Sequence, residues 1–354
     1  MAKSKPLHIP SLDGLRAVSF FIVFVGHSGE KGFFPGAFGV TVFFFLSGFL
    51  ITTLMRIEDE STGTVSLRDF YLRRVFRILP PFYLTLVVVT TLVLLRFSPG
   101  FIEFSPTAAL ALHYGNYWMI GHGGDGMAPG AGVYWSLAVE EHFYLLFPLL
   151  YLITRRAGLR GISQGMVFLL FCGAILAWRL YLVLHLGVIE DRTYMGSDTR
   201  FDSILYGCAL AVAMNPVLDP PRGRDRIWKW VLLPAATAVL VFCFAYRAPW
   251  FRETIRYSLQ GSALVAIFVS AMRFPEWGPF RILNNKVVAF LGVLTYTLYL
   301  VHQCALYTVR YHFPALHPAL RALIALAASI TFAVAMYNWV ERPFGRLRRR
   351  FSNA

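Results

Sequence analysis

The sequence predicts an all-α protein that crosses a membrane about ten times as a polytopic helical bundle, and three observations carry that prediction. Apolar runs long enough to cross a hydrocarbon core recur along the whole chain. Of the 354 residues, 57% are hydrophobic and only 15% charged, and the mean hydropathy is +0.57. That is the composition of a multi-pass membrane protein. With both termini inside, 23 of the 33 Lys and Arg fall at the inner ends and in every second loop, with clusters at residues 68–77, 155–160, 222–229 and 346–350, as short cytoplasmic segments should.

The expected spans lie near 13–29, 37–57, 79–97, 133–154, 166–186, 201–215, 228–246, 256–273, 287–310 and 319–341. Lys3 and Lys5 before the first run suggest a secretory leader, but Asp13 and Arg16 interrupt it and "HSGEKGFFPG" offers no small-residue cleavage pattern, so the segment reads as a retained span. The run 106–120 is shorter than a span and is interrupted by His113 and Asn116. It is expected as a re-entrant or interfacial helix in a long loop. The sixth span is the shortest. The last ends at "WVERPFGRLRRR", where Glu341 and Arg342 are expected to hold the helix end and Pro343 to stop it. Residues 345–354 then form a basic cytoplasmic tail on a single domain, 1–354, with both termini inside. Cys172, Cys208, Cys243 and Cys304 lie inside spans without metal or redox spacing and read as packing residues, so no metal site is expected. The net charge of +14 is topology, not a nucleic-acid footprint, and no nucleic-acid partner is expected beside the membrane lipids.

An ionisable side chain at membrane depth costs at least about 2.5–3.5 kcal/mol on insertion scales, so each one is a candidate for function. Arg16 and His27 open and close the first span. Eleven residues apart, they share a helix face at a separation of about 16 Å. A neutral imidazole can accept a proton or attack an acyl carbon, and a guanidinium can hold phosphates. In "FYLRRVFRILPPFYL", Arg73 and Arg77 stack four apart with Arg74 three before Arg77, a cluster that can clamp phosphates or anchor the inner leaflet. In "VYWSLAVEEHFYLLFPLL", Glu140 and Glu141 point about 100° apart, so at least one should face a loop, a partner or a site. Arg200 and Asp202 open the sixth span. They are expected to pair with each other, or else to bind sugar hydroxyls.

Taken together these motifs resemble the acyltransferase 3 family of integral membrane proteins, from "LDGLRA" at 12–17 through "GVTVFFFLSGFLIT", the arginine stretch, "WSLAVEEHFYLLFPLL", "RFDSILYGC" and "YTLYLVH" to "ERP" at 341–343. The resemblance covers nearly the whole chain. It implies an O-acyltransferase that moves an acyl group, acetyl first of all, from acyl-CoA to a carbohydrate, glycolipid or glycosylated small-molecule hydroxyl at the cell envelope, from the bacterial cytoplasmic (inner) membrane. Acyl-CoA is then a co-substrate and no cofactor stays bound.

By the same resemblance His27 is the leading catalytic residue, oriented by Glu140 or Glu141, while Arg73, Arg74, Arg77 and Arg16 hold the acyl-CoA phosphates. The acceptor side is expected to draw on Arg200, Asp202, Trp135 of the WSL motif and His302, which lines the cavity. The sequence departs from the family pattern at Thr41, where an aspartate is frequent, and at His142, where glutamine is usual. A transporter of a lipid-linked glycan or acyl carrier is the alternative class, although the internal repeats common among transporters are not seen.

Overall fold

A computed structural model describes residues 9–29, 35–188, 190–348 and 351. Among them there is no strand. The helices are α1 (Leu12–Ser28), α2 (Gly36–Thr62), α3 (Leu67–Leu94), α4 (Phe104–Ala111), α5 (Gly115–His122), α6 (Trp135–Arg156), α7 (Ile162–Leu184), α8 (Glu190–Met195) and α9 (Ser197–Ala213). After them come α10 (Asp225–Ile227), α11 (Leu233–Ala245), α12 (Pro249–Glu253), α13 (Ile255–Arg273), α14 (Phe280–Leu283), α15 (Lys286–His312), α16 (Pro318–Met336) and α17 (Arg342–Arg348). A π-helical segment, Trp228–Leu232, joins α10 to α11, and with that stretch counted as one, eight helices among the described residues are long and apolar enough to cross a membrane, while α1 and α9, at 17 residues each, stand where the first and sixth spans are expected. The chain is an all-α, polytopic membrane protein.

Close helix approaches place the first span. A Cβ added to Gly26 would lie 2.5 Å from Gly36 Cα, and one added to Gly39 would lie 2.5 Å from the Ser19 carbonyl, so α1 and α2 touch backbone to backbone. Gly292 brings α15 equally close to Asp13 at the start of α1. Ser11, just before α1, has a φ of 61°. This left-handed turn is held by tertiary bonds: its amide donates to Asn284 Oδ1 at 2.9 Å and its hydroxyl to the Ala271 carbonyl at 2.7 Å.

The start of α6 docks on α15 in the same way. Gly130 combines a φ of 87° with a position where a Cβ would lie 2.6 Å from the Gln303 carbonyl carbon, so only glycine fits. Tyr134 donates to the Leu300 carbonyl at 3.0 Å. In α3, Pro80 and Pro81 withhold the amides that would bond the carbonyls of Phe76 and Arg77, and Tyr296 of α15 donates across to the Ile78 carbonyl at 2.9 Å.

Two expectations need correction. The run 106–120 is not one helix: α4 ends at Ala111 and α5 begins at Gly115, with His113 at a φ of 55° turning the chain between them. Nor does Pro343 stop the last span. A π-helical segment, Tyr337–Glu341, carries the chain into α17, and a proline in the first turn of a new helix needs no amide partner. The carboxylate of Glu341 accepts from Thr297 at 2.6 Å and so ties this end to α15. The expected basic tail is therefore helical up to Arg348, and 349–350 and 352–354 lie outside the described residues.

Candidate active site

Helices α1, α2, α3, α6 and α15 line a cleft. Its basic end is formed by Arg16, Arg74 and Arg77. Arg16 Nη1 bonds Asp13 Oδ1 at 2.7 Å. Arg74 and Arg77 have no hydrogen bond or ion pair among the described residues, and the Arg74 guanidinium lies over the rings of Tyr144 and Phe70 at 5.1 and 5.5 Å. One carboxylate, Glu140, also lines the cleft, and Tyr144 donates to it at 3.4 Å while its hydroxyl bonds Ser47. Three guanidiniums against one lining carboxylate make an anion-accepting pocket, and two of the three are free to bond a ligand.

The far end of the cleft is lined by Ser136 and Tyr299. The Tyr299 hydroxyl donates to the Val133 carbonyl at 3.1 Å and lies 2.7 Å from Ser136 Oγ. Behind Tyr299 stands a pair of imidazoles. His27 Nδ1 is 2.9 Å from His302 Nε2, the rings meet edge to edge with centroids 5.2 Å apart and planes 19° apart, and His302 Nδ1 is 2.8 Å from the Tyr299 carbonyl oxygen. His302 is fully buried, whereas His27 is exposed.

The structure sorts the residues singled out in the sequence. Arg16, Arg74, Arg77 and Glu140 come together in the cleft. His27 and His302 come together beside it, and neither lines it. Arg73 turns away, with Nη2 on Glu58 Oε2 at 2.6 Å and Nη1 donating to the Phe351 carbonyl at 2.8 Å. Glu141 does not line the cleft either, and neither glutamate bonds His27: His302 occupies that place. His142 leaves the site altogether, bonding Ser197 at 2.7 Å with its ring 6.1 Å from that of Tyr117.

The expected Arg200–Asp202 pair is absent, because residues two apart on a helix point roughly 200° from each other. Asp202 instead takes Arg179 of α7 at 2.6 Å, both side chains fully buried. Arg200 is also fully buried. It donates to Thr41 Oγ1 at 3.0 Å, and its guanidinium faces the rings of Tyr257, Phe44, Tyr194 and Trp135 at 4.1–5.9 Å. Trp135, packed on Phe44 and Tyr194, belongs to this layer behind the cleft wall. None of Arg200, Asp202 and Trp135 lines the cleft. Sequence reading missed Arg179, whose signal, an arginine inside "FCGAILAWRLYLVL", was visible. It also missed the hydroxyls of Ser47, Ser136, Tyr144 and Tyr299. Among the described residues, no cluster of three or more His, Cys, Asp or Glu could hold a metal ion.

Comparison with known proteins gives a consistent match. Residues 9–338 match a family model described as an acyltransferase domain, that of acyltransferase family 3. The protein of Staphylococcus aureus strain COL named "Putative O-acetyltransferase SACOL0978" is 29% identical over 356 residues, covering 96% of this chain and 58% of the relative. The O-acetyltransferase OatA of Staphylococcus aureus strain NCTC 8325 is 28% identical over 352 residues, covering 96% of this chain and 57% of the relative. The chain thus spans less than two thirds of the length of these relatives. No solved structure matches it.

Proposed function

The chain belongs to the acyltransferase 3 family, and from that premise we propose that it is a membrane O-acetyltransferase: it moves an acetyl group from acetyl-CoA to a hydroxyl of an envelope carbohydrate or related glycosylated acceptor. The observation that carries this reading is the convergence of Arg16, Arg74 and Arg77 on one cleft whose opposite end is walled by Tyr299, the residue that also holds His302. Three guanidiniums suit the phosphates of a CoA thioester, and a span of about 16 Å from Arg16 to His27 suits its extended arm. In this reading the donor enters at the arginine end, from the cytoplasm, and its acyl carbon passes Tyr299 to reach His27. The acceptor approaches the exposed side of His27.

The chemistry needs one base. His27 takes the proton of the acceptor hydroxyl as its oxygen attacks the thioester carbonyl carbon. A C–O bond forms, the C–S bond breaks, and the CoA thiolate leaves with the proton returned from His27. The test is mass spectrometry of base-labile O-acetyl groups on envelope glycans and glycolipids from cells expressing wild type or His27→Ala at matched membrane levels. An ester present with the wild type and lost with the variant supports the reading. Equal ester in both removes His27 from the mechanism.

A further inference from the structure

The Tyr299 carbonyl oxygen can only accept a hydrogen bond, so His302 carries its proton on Nδ1, 2.8 Å away. The His302 ring is fully buried against Phe20, Phe24 and Tyr299, with centroids 5.7, 6.3 and 5.6 Å distant. Among the described residues no carboxylate bonds it, so nothing there would balance a second proton. His302 Nε2 therefore presents a lone pair. The atom facing it, His27 Nδ1 at 2.9 Å, must be the donor. Neutral His27 is thereby left with its only lone pair on Nε2.

We propose that His302 is a positioning residue that holds His27 in the Nδ1–H tautomer, so that Nε2 is the atom that receives the acceptor proton. This rests on the O-acyl transfer reading above. A free neutral imidazole can carry its proton on either nitrogen, and only one arrangement leaves the lone pair on the side turned away from His302. The relay begins at a main-chain carbonyl, passes through two rings and ends at Nε2. When Nε2 takes the hydroxyl proton, His27 becomes an imidazolium whose Nδ1–H still bonds His302. When the C–S bond breaks, the same proton leaves Nε2 for the CoA sulfur, so the ring pair ends as it began. A carboxylate in place of His302 would select the same tautomer and also neutralise the imidazolium. The second imidazole selects the tautomer without adding a charge to the apolar layer of Phe20 and Phe24.

The discriminating pair is His302→Gln and His302→Leu, in purified protein reconstituted into vesicles and supplied with acetyl-CoA. The glutamine amide can accept from His27 Nδ1–H and donate to the Tyr299 carbonyl, whereas leucine fills the space and does neither. Gln is expected to keep kcat within about tenfold and Leu to lose about 10–100-fold, the usual cost of removing an orienting partner. KM for acetyl-CoA should stay put in both, because His302 does not line the cleft.

The direct readout is 15N NMR of histidine-labelled protein, with His27 assigned by the signals lost in His27→Gln. Wild type and His302→Gln should show a protonated Nδ1 and a bare Nε2, and His302→Leu a mixture. A wild-type His27 protonated on Nε2, or a Leu variant as active as the Gln variant, overturns the proposal. If the Leu variant does not fold, the wild-type tautomer decides alone. Transfer that survives His27→Ala would instead remove His27 as the base, and no transfer by the wild type would overturn the functional reading beneath it.

Discussion

Arg73 and Arg74, neighbours in the chain, take different partners: Arg73 grips the buried carboxylate of Glu58 and the Phe351 carbonyl, while Arg74 lies over Tyr144 in the cleft. Consecutive helical residues diverge by about 100°, so one basic cluster does two jobs.

The two arginines should therefore fail differently. Arg74→Ala and Arg77→Ala are expected to raise KM for acetyl-CoA about 10–100-fold each, the worth of one charge-assisted contact of about 1.5–3 kcal/mol, and to leave thermal stability near wild type. Arg73→Ala should leave KM unchanged and cost about 3 kcal/mol of stability, because it leaves the buried Glu58 carboxylate without its cation and bonded only to the Ser66 amide. Steady-state kinetics in vesicles and thermal unfolding in detergent separate the two. A KM effect from Arg73→Ala equal to that of Arg74→Ala would count against the division.

Arg179 and Asp202 give a test of buried charge. Arg179→Leu leaves a fully buried carboxylate without its cation and should destabilise by about 3–5 kcal/mol. The double variant Arg179→Leu, Asp202→Leu should recover much of that loss, since an apolar pair needs no desolvation of charge. Unfolding midpoints of the two variants provide the measurement, and a double variant no more stable than the single would refute the pairing energetics.

How much of this was legible in the sequence depends on which physical quantity fixed each feature. The spans were, because length and hydropathy alone decide what crosses a bilayer. Their depth in the bundle was not. The most apolar stretch of α2 and that of the last span share a mean hydropathy of 2.0, yet 72% of the first is buried in protein and 22% of the second. Lipid and protein interior are equally apolar, so composition cannot rank them. The arginine end of the site was legible from i, i+3 spacing. The His27–His302 contact joins residues 275 positions apart, and no local pattern encodes it. The Arg200–Asp202 expectation failed because sequence proximity was weighed above helical direction.

At the end of the bundle that holds the arginine cluster, Asp219 supplies a pH test. Burial pushes its carboxyl up, but hydrogen bonds from Arg56 and from the Asn215 amide outweigh this and leave its pKa below the ordinary value. A carboxylate with a depressed folded pKa contributes stability that is present above its unfolded pKa of about 3.9 and lost as pH falls through the folded value. Wild type should thus lose stability below about pH 4, and Asp219→Asn should be less stable at neutral pH with a shallower acid limb. Parallel acid limbs in unfolding scans of the two proteins would show that Asp219 carries none of this dependence.

The cleft itself can be probed without turnover. The four cysteines, Cys172, Cys208, Cys243 and Cys304, are free and buried, so thiol reagents should modify the wild type slowly. Ser47 lines the cleft among Arg16, Arg74 and Glu140, and Ser47→Cys introduces one reactive thiol of nearly the same size there. Maleimide labelling of this variant is expected to slow at least about tenfold at saturating acetyl-CoA, because a ligand at 10 times its Kd leaves about one site in eleven open. The thioester has no free thiol to consume the reagent. In the background of Arg74→Ala plus Arg77→Ala the protection should vanish at the same concentration, since the guanidiniums that hold the phosphates are gone. Labelling that acetyl-CoA does not slow, in a protein that still transfers acetyl groups in a His27-dependent way, would put the donor outside this cleft and leave the arginine trio with a different anion.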